Sequence, residues 1–141
     1  MIFSNSNIRH LPAILIVQDS QEKLTLNSLG INSFQQTCIS VTESVTKNTD
    51  IFSWIQQNQP DLIILNLEWS KISELNLTTT LRLDWLTRNI PILAIANRKS
   101  DRFWITNLDC DAYLFKPYSK LELETAIVSL VSNFAGFSYA S

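Results

Sequence analysis

The chain has 141 residues, 45% apolar and 17% charged, with a formal net charge of −2, which describes one folded domain with a proper core rather than a disordered chain. No run of Lys or Arg builds a basic stripe, so direct nucleic-acid binding by this chain is not expected, and no apolar stretch approaches a membrane span in length. Two glycines exclude a glycine-rich phosphate cradle; two cysteines, Cys38 and Cys110, at neither CxxC spacing nor in a disulfide framework, suit a reducing, cytoplasmic setting.

Residues 1–11 read as a polar tail without the layout of a signal peptide, 12–136 as one domain, and 137–141 as a second short tail. The apolar run 13–17 predicts a first buried strand ending at Gln18-Asp19-Ser20. Ser20 then caps a helix populated by Leu24, Leu26 and Leu29 and closed by Gly30. Residues 36–41 predict a second strand, and 50–58 a second helix capped near Asn48 or Thr49, with Trp54 in its core face. Pro60 stops that helix.

The run Leu62-Ile63-Ile64-Leu65 predicts a strand buried on both faces, the central kind found in parallel sheets, and it ends at Asn66. A third helix is expected over 73–87, a fourth buried strand over 91–96, and a fourth helix over 100–108. Residues 112–115 predict a fifth strand ended by Lys116-Pro117. Ser119 then caps a last helix whose buried stripe is read as Leu121, Ile127, Leu130, Val131 and Phe134, ending at Gly136. Both cysteines are read as small buried or half-buried apolar groups.

Five strands alternating with five helices predict an α/β fold, a flavodoxin-like (βα)5 doubly wound sheet of five parallel strands in the order 2-1-3-4-5. Ligands of such sheets sit at the carboxyl ends of the strands, at the point where the order reverses. On that order Asp19 and Asn66 converge, and Lys116 enters from strand five.

This layout resembles a response-regulator receiver domain over about residues 12–135. The matching pieces are Ile14-Leu15-Ile16-Val17-Gln18-Asp19, the stretches 60–67 and 91–96, and Asp111-Ala112-Tyr113-Leu114-Phe115-Lys116-Pro117-Tyr118. The resemblance implies a two-component phosphorelay, in which an aspartate ending strand three accepts a phosphoryl group from a histidine kinase. Two acidic residues ending strand one would help hold Mg²⁺, while a hydroxyl ending strand four and a lysine ending strand five would bind the phosphoryl oxygens.

The chain departs from that pattern at several positions. Asn66 stands at the acceptor, and its neutral amide cannot form an acyl phosphate. Gln18 and Asp19 replace the acidic pair, so one carboxylate remains where the family has three, and Mg²⁺ binding is expected to be weak or absent. Ala96 replaces the switch hydroxyl. Lys116 is retained, as is an aromatic at the rotamer-switch position, Tyr113, whose expected role here is packing. Asp19 and Lys116 are expected to pair, and Asn66 to bond its polar neighbours. Glu68, two residues past Asn66, is a minor candidate for a carboxylate that mimics bound phosphate.

The reading is therefore a pseudo-receiver: no enzyme, no catalytic residue, no metal ligand, and signalling by protein–protein contact. The expected contact face is helix four, strand five and helix five, which also serves receiver homodimers. Ala126 stands where the winged-helix class of receivers carries an arginine, so a dimer of that class is not implied. The alternative is the receiver portion of a longer DNA-binding transcriptional regulator. Trp69, Trp85 and Trp104 are candidates for exposed aromatics at an interaction surface.

Overall fold

Five parallel strands organise the chain in the computed structural model, which describes residues 11–19, 24–41, 48–67, 76–96 and 108–132. The strands are β1 (Ala13–Asp19), β2 (Gln35–Val41), β3 (Leu62–Asn66), β4 (Ile92–Ala96) and β5 (Ala112–Phe115). They pair in the order β2-β1-β3-β4-β5, which is the flavodoxin-like order expected from the alternation of elements. The helices are α1 (Asn48–Asn58), α2 (Leu77–Leu83) and α3 (Lys120–Val131), with one 3₁₀ turn at Asn27–Leu29. Among the described residues, no helix is long and apolar enough to cross a membrane.

Side chains alternate across a strand, so each apolar run supplies two cores. Leu15, Val17, Ile63, Leu65, Ile92 and Ala94 face one side and pack with Ile51 and Ile55 of α1 and with Leu77 and Leu81 of α2. Ile14, Ile16, Leu62, Ile64, Leu93 and Ile95 face the other, with Leu24, Leu26, Ile31 and the α3 stripe Leu123, Ile127 and Val131. Every residue of β3 and β4 is buried, as strands covered on both faces must be.

Two aspartates tie the amino ends of the strands together. Asp61, just before β3, accepts the Ala13 backbone N–H at 2.7 Å, and Asp111, just before β5, accepts that of Ile92 at 2.7 Å. Each satisfies a strand-opening donor that the ladder leaves over. Asp111 also takes Arg82 Nη2 at 2.6 Å, while Nη1 of that arginine donates to the carbonyls of Arg88 and Ile90 at 3.0 and 2.8 Å. One guanidinium thus joins α2 to the entries of β4 and β5.

Two expected helices require correction. The first is replaced, over its described residues, by the single 3₁₀ turn. Its amides are claimed by side chains of the strands: Gln18 Oε1 accepts Leu24 N–H and Gln36 Oε1 accepts Leu26 N–H, both at 2.7 Å. Gly30 does close the turn, in the left-handed region at φ +81°. The expected third helix ends early, at Leu83. Asp84 is extended, its carboxylate accepts Leu86 N–H at 3.2 Å, and the Thr87 hydroxyl donates to the Leu81 carbonyl at 2.8 Å. Those local bonds replace the next helical turn. Leu83, Trp85 and Leu86 are consequently exposed rather than on a helical core stripe.

In α3, Ser119 and Glu122 form a capping box, with bonds of 3.0 Å to Glu122 N–H and 2.9 Å from Ser119 N–H. The buried stripe is Leu123, Ile127 and Val131 at four-residue spacing; Leu121 points to solvent, 71% exposed. Trp54 is half-buried against the first core. Ser20, residues 100–107 of the expected fourth helix, Trp69, Phe134 and Gly136 lie outside the described residues.

Ser119→Ala is expected to lower stability by about 1 kcal/mol, read as a shifted urea midpoint at constant slope. Burial raises the Asp61 carboxyl above its ordinary value, and the Ala13 bond pulls it down by less. A raised carboxyl holds more protons folded than unfolded, so its contribution to stability falls as pH rises through that window. Asp61→Asn keeps an acceptor but does not titrate, so between about pH 4 and pH 7 its stability should rise relative to wild type. A constant difference across that range would contradict the assignment.

Candidate functional site

The site begins with strand alternation. Gln18 falls on the same face as Ile14 and Ile16, and Asn66 on the same face as Leu62 and Ile64. The β1–β3 register then sets Gln18 beside Asn66 at the carboxyl ends of both strands. Both are buried, at 2% and 4% exposure, where a carboxamide needs hydrogen-bond partners.

Leu24 N–H is a fixed donor and reaches Gln18 Oε1 at 2.7 Å. Gln18 must therefore present its oxygen at the centre of the group. Asn66 in turn presents Nδ2, which donates to the same oxygen at 3.1 Å. This leaves Asn66 Oδ1 buried and without a hydrogen-bond partner among the described residues. Gln18 Nε2 makes only long contacts, 3.5 Å to the Leu24 carbonyl and 3.6 Å to Cys38 Sγ. Cys38 is exposed, contrary to expectation, because β2 is an edge strand; its sulfur accepts from Gln36 Nε2 at 3.0 Å.

Lys116 follows β5, its backbone N–H donating to the Ala96 carbonyl at 3.0 Å, and a cis peptide joins it to Pro117. Lys116, Asn66, Leu24, Leu29, Pro117 and Tyr118 line an open cavity of about 570 Å³. Thr25 and Ser28, whose hydroxyls bond one another, complete its wall. The cavity thus lies between the 3₁₀ turn and the loop after β5.

Asn66 bonds a polar neighbour and Tyr113 packs, as expected. Asp19 ends β1, half-buried, in register with Val41 of the edge strand, and Asn66 bonds Gln18. Ala96 is fully buried in the core of the opposite face. Tyr113 packs on that core too, its hydroxyl 3.2 Å from the Leu108 carbonyl and 3.4 Å from that of Cys110. Burial raises its phenol, and burial pushes the Cys110 thiol up to about 12, so neither ionises near neutral pH. Glu68 lies outside the described residues.

A hard cation wants several oxygen ligands, most of them anionic. Gln18 Oε1 already accepts two donors, and Asp19 is the one carboxylate of the expected set. Among the described residues no group of three His, Cys, Asp or Glu side chains could hold a metal. These residues do not fit an Mg²⁺ site of the receiver kind. What the arrangement offers is hydrogen bonding and a lysine side chain.

The part missed from sequence is the wall made by Leu24, Thr25, Ser28 and Leu29. Two strand glutamines, Gln18 and Gln36, flanking a segment of only moderate helical pattern were the available signal.

The chain matches the response regulator receiver domain family over residues 14–128. It is 28% identical over 133 residues to hybrid signal transduction histidine kinase D of Dictyostelium discoideum, covering 92% of this chain and 8% of that protein. It is 33% identical over 66 residues to the polar-differentiation response regulator DivK of Brucella ovis, covering 45% and 54%. Among solved structures, the receiver domain of a sensor histidine kinase from Pseudomonas aeruginosa, described with magnesium coordinated in its active-site cleft, superposes with a TM-score of 0.65 at 20% identity, covering 86% and 98%. The fold, the strand order and the family match define the class: this chain belongs to the response regulator receiver domains of two-component signalling. It spans 8% and 54% of the lengths of the two relatives named.

Gln18→Leu strips the acceptor from two buried donors, Leu24 N–H and Asn66 Nδ2. It is expected to cost about 2–4 kcal/mol in urea denaturation, against a smaller loss for Gln18→Glu, which keeps an oxygen there. Equal losses for the two would contradict the central role of Oε1.

Proposed function

We propose that this receiver is a pseudo-receiver, which is not phosphorylated, catalyses nothing itself, and signals by contact with a protein partner. The observation that carries the reading is Asn66, a buried carboxamide bonded to the carboxamide of Gln18 at the ends of β3 and β1. A working receiver needs a carboxylate nucleophile there and a cation to screen the transferred charge. Ala96 supports the same reading, since a methyl group cannot donate to a phosphoryl oxygen. The retained Lys116 then serves the polar pocket, Tyr113 packs in place, and Glu68 is assigned no phosphate-mimicking role ahead of plain solvation.

The partner surface is assigned to β5, α3 and residues 100–108, with a homodimer as one candidate assembly. The exposed Leu121 on α3 favours this face, because a large apolar side chain in water gains by being covered. A second reading makes the chain the receiver portion of a longer DNA-binding regulator. Its support is that the matched stretch fills only 8% of the hybrid kinase, so such domains do occur inside much longer proteins. A winged-helix or helix-turn-helix sequence downstream in the source gene would test it.

Incubation with radiolabelled acetyl phosphate and Mg²⁺ is expected to leave the wild-type chain unlabelled. The triple variant Gln18→Asp, Asn66→Asp, Ala96→Thr restores carboxylates and hydroxyl together and should take up acid-stable, hydroxylamine-labile label. Labelling of the wild type would overturn the proposal.

A further inference from the structure

We infer that a groove at the amino end of the sheet, lined by Asp61 and Trp85, takes an arginine side chain presented by a protein partner. Asp61 holds the Ala13 N–H on Oδ2, and its Oδ1 accepts no bond among the described residues. That oxygen is not sealed off, since Asn66 Oδ1 is the one buried side-chain atom left without a partner there. The ion pairs of the described residues join Arg82 to Asp109 and Asp111, and none reaches Asp61. Burial acts on this carboxyl against the Ala13 bond alone, with no neighbouring charge to help. A neutral carboxamide oxygen could hold the same N–H, so the negative charge is surplus to the fold and calls for a cation.

The walls around that carboxylate suit a guanidinium. Pro60, Leu86, Pro91 and Leu130 line the groove with Asp61 and Trp85, enclosing about 300 Å³. Trp85 stands 74% exposed because α2 stops at Leu83, and Leu83 and Leu86 on either side of it are exposed as well. A guanidinium is planar, so it stacks on an indole face while its N–H groups reach a carboxylate; an ammonium is a point charge with no flat face to stack. The volume lies at the bottom of the range for small-molecule sites, and Leu83, which does not line the groove, would stay in water beside a free cation. A protein segment that carries the arginine covers both, with Trp85 as the aromatic anchor.

This goes beyond the proposed function. The groove lies at the opposite end of the sheet from Gln18 and Asn66, and it would take its partner whether or not the chain is phosphorylated. The acetyl phosphate experiment and the one below report separately, and each can fail while the other stands.

The test is ¹H–¹⁵N NMR of the whole chain titrated with a short peptide, blocked at both ends, that carries one arginine between two leucines. Its citrulline analogue keeps the shape and loses the charge, and propylguanidinium carries the cation without a peptide. The arginine peptide should give saturable shifts at the Trp85 indole N–H and the Ala13 and Leu86 amides. Its affinity should exceed that of the citrulline peptide and of propylguanidinium by about tenfold each. Asp61→Asn, which keeps an acceptor for Ala13 N–H, should erase the preference for arginine over citrulline. Trp85→Ala, at an exposed position, should weaken the arginine peptide about threefold or more without moving the urea midpoint. Should Asp61→Asn fail to fold, Trp85→Ala and the wild-type ligand comparison decide. No saturable shift with the arginine peptide, equal affinity for its citrulline form, unchanged affinity in Trp85→Ala, or propylguanidinium binding as tightly as the peptide would each overturn the assignment.

Discussion

One oxygen atom, Gln18 Oε1, governs the functional end of this domain. It accepts the Leu24 amide and the Asn66 carboxamide from opposite directions, so a crossover segment, β1 and β3 meet at a single neutral acceptor. A carboxylate there could accept the same two bonds, but its buried charge would call for a counterion. With two carboxamides, the group needs no cation to be stable. That neutrality is what supports the proposed pseudo-receiver reading, because phosphoryl transfer to a receiver requires a carboxylate nucleophile and anionic metal ligands.

The two ends of the sheet are held by different physics. At the amino end, Asp61 and Asp111 clamp strand-opening amides, and Arg82 adds charge-assisted bonds to a carboxylate and two carbonyls. Such bonds are stronger than neutral ones and leave the strands little freedom. At the carboxyl end the bonds around Gln18 and Asn66 are neutral, one buried acceptor is left over, and a cavity opens beside them. The charge-assisted end thus holds the strands on which the cavity end is built, as a rigid scaffold positions a binding face.

The fold was legible in the sequence because its strands are either fully buried or end at a Pro, Gly or polar stop. β3, β4 and β5 fall within a residue or two of their expected bounds for that reason. The helices were read less well where short polar side chains compete for the backbone. Asp84 and Thr87 end α2 by local bonds that a count of leucines does not register. Gln18 and Gln36 unmake the first helix from strands that lie elsewhere in the chain. Leu121 was assigned to a core stripe that in fact begins at Leu123, since a helix with apolar residues on several sides does not announce its buried face.

By itself the sequence determined the class of fold, the strand order and the residues standing at the carboxyl ends of β1, β3 and β5, because apolar runs, capping residues and strand alternation are local properties. The identity of Asn66, and with it the lack of a carboxylate at the end of β3, needed no coordinates. Only the tertiary structure decided which atoms of Gln18 and Asn66 meet, which oxygen is left over, and that a cavity lies beside it. Those outcomes depend on Leu24 N–H, a backbone donor whose position no side-chain pattern encodes, and on the register of β1 against β3, which packing on both faces of the sheet sets.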